Sequence, residues 1–208
     1  RRFNDGFSRL LADRCAQAAN ANVSVAVADN GFTLALPLNR KVDLAGILAD
    51  LDPEQVRADL RASLDGTDLL ERYFRINATR SLMILKRYKG YEKSASEQQF
   101  NSDMLLSFAR DLEDFAVIEE TYREILEDKL HIAAIESVLG RVADGDLEVR
   151  TVRVSSPSPR AFGLATLLAS DVVLAEDESA VLREFHQRVL AEIESGDSPD
   201  EGEVASSD

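Results

Sequence analysis

The stretch VSVAVADNGFTLAL, Val23 to Leu36, decides how this chain is read. Val23, Val25 and Val27 alternate with Ser24 and Ala26, and Phe32, Leu34 and Leu36 alternate in the same way beyond Asp29-Asn30-Gly31. A period of two puts successive side chains on opposite faces of a strand. Asn-Gly between two such runs is a hairpin signal, because both residues tolerate positive φ. The stretch predicts an antiparallel hairpin with strands near 23–28 and 32–36. The rest of the chain is mostly helical in pattern, so the hairpin sets the class: α+β, a mainly helical domain with a small antiparallel sheet.

Upstream, Phe3, Phe7, Leu10, Leu11 and Arg14 recur at three- and four-residue spacings, which predicts a helix over 4–21. Downstream, helical patterns begin at Asp43. Asp52-Pro53-Glu54-Gln55 reads as a helix start, with Asp as cap, Pro in the first turn and Gln able to reach back. Gly66 separates that helix from one expected over 68–88, which Gly90 ends. Ser94-Ala95-Ser96-Glu97 is a capping box opening a helix to about Leu112. Residues 115–126 and 131–142 read as further helices. Leu147 to Val154, LEVRTVRV, reads as a third strand near 147–154, its alternation slipping between Val149 and Val152 as a bulge would make it. Residues 155–159, with Pro157 and Pro159, predict an extended loop. Two helices are expected over 160–169 and 178–193. The end, ESGDSPDEGEVASSD, has six acids and no base, which predicts a disordered tail. The expected organisation is one domain over 1–193 and an acidic tail over 194–208.

Charge is the second strong signal. The 208 residues carry a formal net charge of −14, yet Arg72 to Lys93, RYFRINATRSLMILKRYKGYEK, carries seven bases and one acid. The bases are Arg72, Arg75, Arg80, Lys86, Arg87, Lys89 and Lys93, and Tyr73, Phe74, Tyr88 and Tyr91 lie among them. Background acidity repels phosphate, so a basic island of this density needs a reason. Cations interleaved with aromatic rings suit a surface that tracks a single-stranded backbone and stacks its bases. On a helical wheel, Arg72, Arg75 and Lys86 share one stripe and Arg80 and Arg87 a neighbouring one. Leu70, Phe74 and Leu85 lie opposite, but Ile76, Leu82 and Met83 fall among the cations, so this helix is expected to be packed on several sides. Two alternatives to nucleic acid stay open. The arginines can pair with acids of neighbouring helices, such as Glu119-Glu120 or those between Asp111 and Asp114, or they can face a protein partner.

Several functions find no residues to carry them. There is no GxxxxGK[ST], GxGxxG, GxSxG, HExxH or CxxC. Residues 140–145, GRVADG, have P-loop glycine spacing, but Asp146 stands where the lysine belongs, and they read as a turn. The single cysteine, Cys15, is read as a small packed side chain, and His131 and His186 offer no metal-ligand spacing. Paired carboxylates arise by chance in so acidic a chain and support no hydrolase site. No apolar run approaches the ~18 residues of a membrane span, which with the single cysteine leads to a cytoplasmic, non-membrane expectation. The chain opens on Arg1-Arg2-Phe3 and is read as a piece of something longer. Nineteen arginines, five lysines and 38 acids fit a hydrated surface adapted to high salt, as in a halophilic archaeon, although an acidic protein of an ordinary cell has the same composition.

Several segments in order resemble one family. ATRSLMILKRYKGYEKS (78–94), QQFNSDMLL (98–106) and ETYREILEDKL (120–130) are similar to the carboxy-terminal region of the Lhr-type, large helicase-related DEAD/DEAH-box helicases. The opening RRFNDGFSRLLADR and the segment VRTVRVSSPSP (149–159) fit the same region, so the resemblance covers about 1–168. It implies a superfamily 2 motor that moves 3′ to 5′ along single-stranded DNA, unwinds duplexes with ATP and magnesium, and serves DNA repair. The Walker motifs of such a motor are not in this chain, so the chain alone is not expected to catalyse, and it is assigned no cofactor of its own. The resemblance implies an accessory domain that completes the clamp around the tracking strand, with single-stranded DNA and the motor and winged-helix domains of the same polypeptide as partners. Charge departs from a usual DNA binder. Arg72, Arg75, Arg80, Lys86, Arg87, Lys89 and Lys93 are the candidate phosphate contacts and Tyr88 and Tyr91 the candidate stacking residues, chosen on charge and aromatic interleaving. The competing reading is a structural module whose basic helix is a core spine and whose surface docks the motor or a repair partner.

Overall fold

The computed structural model describes residues 1–154 apart from Leu38, Glu113 and the Tyr88 side chain, and beyond them Ser158, Ala161, Gly163, Leu164, Thr166 and Gln187. The expectations for 155–159, for helices over 160–169 and 178–193, for His186 and for the tail fall largely or wholly outside those residues. What is described is α+β: helices around one core and two small antiparallel hairpins.

Helix α1, Arg2–Ala19, stops where Asn20 turns into the left-handed region (φ 47°) and donates its N–H to the Ala16 and Gln17 carbonyls. Strands β1 (Ser24–Ala28) and β2 (Gly31–Ala35) then pair in the register Ser24↔Ala35 to Ala28↔Gly31. The hairpin sits on α1 through both polar and aromatic contacts. Asn4 donates to the carbonyls of Ala28 and Asp29, each at 3.0 Å, and Phe32 meets Phe7 edge-on at 6.0 Å. The expected turn chemistry is absent, however, since no residue of Asp29-Asn30-Gly31 has positive φ. Pairing and packing on α1 hold this hairpin together without a left-handed turn.

Helices α2 (Leu44–Ala49) and α3 (Val56–Ser63) follow. Asp52 opens a turn ahead of α3, but the expected box does not form, since the cap of α3 is Gln55 and it makes no side-chain capping bond. The Asp52 carboxylate accepts the Glu54 N–H at 2.8 Å, and its carbonyl accepts from Gln55 and Val56. Helix α4 spans Asp68–Arg80, strands β3 (Arg87–Tyr88) and β4 (Tyr91–Glu92) form the second hairpin, and α5 spans Ala95–Arg110. Helix α6 (Ala116–Arg123) passes into a π-helical turn, Glu124–Lys129, before α7 (Ile132–Ala143). The wider turn, closed by the Leu130 N–H on the Ile125 carbonyl at 2.9 Å, lets Ile125, Leu126 and Leu130 all enter the core. His131, at φ 55°, breaks the path into α7.

The core is continuous from α1 to α7, with Leu10, Leu60, Phe74, Leu106, Ile125 and Ile135 among its buried side chains. Gly6 is needed where α1 crosses the α7 end. A Cβ there would lie 2.7 Å from Ile135 Cδ1 and 2.8 Å from the Leu130 carbonyl oxygen. Arginines of α3 lace the outside of this core. Arg57 binds Glu127 and Glu136, and Arg61 binds Glu119 while lying 4.0 Å from the Tyr122 ring centroid. Burial, and then its hydrogen bond to Asp65, pushes the Tyr122 phenol up to about 12.

The third strand is a correction. Leu147 to Val154 has no strand: each described sheet has two strands, and this segment pairs with neither. Val149, Val152 and Val154 are exposed, and Arg150 bonds Glu148 two residues back at 2.9 Å. An alternating pattern alone cannot satisfy backbone groups that have no ladder to join.

Candidate nucleic-acid interface

The basic island is two structures, not one helix. Its first half belongs to α4. Thr67 caps it by accepting the Leu70 N–H at 3.4 Å, and Leu70, Phe74, Asn77 and Ala78 form the buried stripe at four-, three- and one-residue steps. Of the cations, Arg72 is exposed and Arg75 half-buried. Ile76 and Tyr73 are half-buried, which agrees with the packing that the wheel demands of this half.

The helix then stops, eight residues before the expected end. The Leu82 N–H reaches the Thr79 carbonyl at 3.2 Å and the Met83 N–H reaches the Ala78 carbonyl at 2.9 Å. These two bonds form a Schellman stop, and its left-handed position is occupied by Leu82 at φ 60°. Glycine usually fills that position, so the sequence gives no stop signal. The gain that offsets the strain is visible next door: Ile84 is buried, with its N–H also on the Ala78 carbonyl at 3.0 Å. Stopping here buries Ile84 beside Ala78 and releases Lys86 to Lys93 from the helix.

The second half is the hairpin. Arg87 pairs with Glu92 and Tyr88 with Tyr91 across the strands, and the Lys93 N–H extends the ladder to the Lys86 carbonyl at 2.9 Å. Lys89 (φ 48°) and Gly90 (φ 84°) make the turn, both left-handed as a two-residue hairpin prefers. Gly90 therefore turns a hairpin where it was expected to end a helix. The outgoing strand is tied to α5. Ser94 accepts the Glu97 N–H at 3.3 Å, Glu97 accepts the Ser94 N–H at 2.8 Å, and the Tyr91 hydroxyl donates to Glu97 at 3.1 Å. Those donors, the Ser94 backbone first, hold the Glu97 carboxyl below its ordinary range, and the bond to Glu97 raises the Tyr91 phenol.

The candidate cations fall into different states. Arg80 and Arg87 are 67% and 74% exposed and each has an acid beside it: Glu124 at 3.3 Å and Glu92 at 2.9 Å. Arg80 also reaches the Asn77 side-chain oxygen at 3.4 Å, and the buried Asn77 amide donates to Glu124 at 2.9 Å and Thr121 at 3.3 Å. Of the acids named from sequence, Glu119 is engaged by Arg61 and Glu120 by Arg123. Glu124, at the mouth of the π-helical turn, is the acid that sequence reasoning missed. Among the described residues Arg72, Arg75, Lys86 and Lys93 make no ion pair. Lys86, Arg87, Lys89 and Tyr91 are exposed together on the hairpin, and Lys93 is half-buried at its base. The Tyr88 side chain lies outside the described set. Among the described residues no group of three or more His, Cys, Asp or Glu side chains could hold a metal, and no helix is long and apolar enough to cross a membrane.

Residues 1–161 match the family model described as DEAD/H associated. Among similar proteins, the ATP-dependent helicase Lhr-Core protein 2 of Thermococcus barophilus is 39% identical over 93% of this chain and 22% of its own length. The ATP-dependent helicase Lhr-Core of Sulfolobus acidocaldarius is 37% identical over 91% of the chain and 22% of its own. The chain thus spans about a fifth of the length of these relatives. A solved structure, that of the Mycobacterium smegmatis helicase Lhr bound to ssDNA and AMP-PNP, shares the fold with a TM-score of 0.65 at 24% identity, over 78% of this chain and 21% of that one.

Proposed function

Because this chain belongs to the DEAD/H-associated family, we propose that it is an accessory nucleic-acid-binding domain of an Lhr-type, superfamily 2 ATP-dependent DNA helicase. In this reading it helps clamp the tracking single strand during 3′-to-5′ translocation and unwinding, with a role in DNA repair. ATP and magnesium act in the motor domains of the same polypeptide, not here. The observation that carries the reading is the projecting hairpin, which lifts Lys86, Arg87, Lys89 and Tyr91 off the core of an otherwise acidic domain. Cations and an aromatic ring on one short ribbon can follow phosphates and stack a base, with no requirement on sequence. Arg80 sits where the helix hands over to that ribbon. Its guanidinium is 67% exposed and its partner Glu124 keeps the Asn77 amide as a donor, so a phosphate can replace the pair at small cost. The Mycobacterium smegmatis Lhr solved with ssDNA supports the reading by analogy of fold.

The second reading, a structural module without direct DNA contact, is favoured by the two ion pairs that already engage Arg80 and Arg87. Changing Arg80→Ala together with Arg87→Ala separates the two. Binding to an unstructured oligonucleotide is followed by anisotropy across a salt series, beside thermal melting. The proposed function expects a loss of about tenfold at low salt and a log-log salt slope shallower by about 1.4, at roughly 0.7 per single-strand phosphate contact. Melting temperature should hardly change. Unchanged affinity with a clear drop in melting temperature supports the structural reading instead.

A further inference from the structure

Helix α5 has two faces. Ser102, Leu106 and Ala109 are buried against α4 and α6, whereas Phe100, Met104 and Phe108, at steps of four, lie almost opposite and are exposed, the two rings at 63% and 62%. Leu112 continues the line past the helix end. Beside it, Met83, Ile84, Lys93, Met104, Leu105 and Phe108 border a hollow of about 270 Å³. Both methionines of the chain lie on this hollow, and methionine is the side chain that best adapts to a docked surface. Exposed apolar ridges of this kind mark interfaces.

The surroundings choose the occupant. Along the ridge, Asp103, Asp111 and Asp114 are exposed against Arg110, with the half-buried Lys93 at the edge of the hollow. That field repels a phosphate backbone, so the ridge does not continue the proposed DNA path. A line from Phe100 to Phe108 is only about 12 Å long, short for a free-standing complex that buries about 1,200–2,000 Å². A tethered domain needs less, because its effective concentration is of order mM. The Lhr-Core relatives have this region attached to a further four-fifths of their length.

We propose that the Phe100–Met104–Phe108–Leu112 ridge and its hollow seat another domain of the same polypeptide, through an apolar socket rimmed by basic side chains that face Asp103, Asp111 and Asp114. This rests on the reading that the chain works inside a larger helicase. The hollow takes Lys93, at the base of the hairpin, and leaves Lys86, Arg87, Lys89 and Tyr91 outside its lining, so docking leaves those four side chains for the strand.

Oxidative footprinting tests it, with Met83 and Met104 as the reporters, in the 208-residue chain and in the full-length polypeptide. The expected result is at least about fivefold slower oxidation of both methionines in the full-length protein. Phe100→Ser with Phe108→Ser should restore the fast rate there and leave the melting temperature of the 208-residue chain unchanged. Equal rates in the two proteins overturn the proposal. So does protection that grows with concentration of the 208-residue chain, which marks a second copy, or protection that appears only with an oligonucleotide. Oligonucleotide affinity, measured alongside, reports on the DNA-binding reading separately: its loss from the wild-type full-length protein would sink that reading even if the ridge is protected.

Discussion

The two halves of the basic island have similar composition and opposite architecture. Arg72 to Arg80 lies on a helix whose Phe74 and Ala78 are fully buried, while Lys86 to Lys93 is a two-stranded ribbon whose described side chains are exposed except for the half-buried Lys93. The difference is made by four residues, Ser81 to Ile84, where a leucine takes a left-handed conformation so that an isoleucine can be buried. On the helix, Arg80 is held by a rigid frame and by Glu124, beyond the end of α6. On the hairpin, Arg87 is held by Glu92 of the ribbon itself. The helix therefore carries stability and the ribbon reach, and each test below asks whether that division holds.

The largest expected effect is on the helix. Phe74→Ala removes a fully buried ring between α4 and its neighbours and should destabilise the fold by about 3–5 kcal/mol. That is a large fraction of the ~5–15 kcal/mol that a domain possesses. Its counterpart on the ribbon, Tyr91→Ala, should leave the melting temperature where it is and weaken oligonucleotide binding about tenfold, as loss of one stacked base would. Chemical denaturation of both variants, beside anisotropy, checks the pair. If Tyr91→Ala melts early and binds normally, the ribbon is structural and the division collapses.

That boundary was the feature least legible in the sequence. The first hairpin was readable because its alternation is strict and the strands pair with each other. The Ser94 capping box was readable because the motif is local, and both of its bonds form. The stop after Arg80 carries no glycine or proline, since the reason for it is Ile84, whose burial depends on helices distant in sequence. The failed strand at 147–154 has the same origin in reverse: a local pattern was present and the partner was not. The positive-φ turn was assigned to Asp29-Asn30-Gly31, yet it is Lys89-Gly90 that uses it. The island stands out by charge, which needs no knowledge of secondary structure, whereas the faces assigned beyond Arg80 assumed a helix that has already ended.

A smaller effect is expected where the two halves meet. Glu124→Gln keeps the size of the side chain and an oxygen for the Asn77 amide, but removes the charge that Arg80 faces. Arg80 is then left to a phosphate without competition, and affinity for a single strand at low salt should rise about two- to fivefold, the scale of an exposed pair. Thermal melting should be nearly unchanged. Unaltered affinity would show that Arg80 never reaches the strand and that its role ends with α4.

The smallest effect concerns the ribbon alone. Gly90 has φ 84°, and an added Cβ would meet nothing within 4 Å, so Gly90→Ala introduces backbone strain and no clash. A left-handed alanine costs about 1–2 kcal/mol. Placed in the core, that strain would register as a lower melting temperature. Here the strained turn joins two-residue strands that can open without disturbing Phe74 or Ile84, so the strain should be relieved by local opening of 87–92. The expected outcome is an unchanged melting temperature, faster amide exchange at the Lys93 N–H that closes the ladder, and oligonucleotide binding weaker by about two- to fivefold, as the cations lose their common orientation. A drop in melting temperature comparable to that of Phe74→Ala would mean that the hairpin and the helix unfold as one unit, and the separation of stability from reach would not stand.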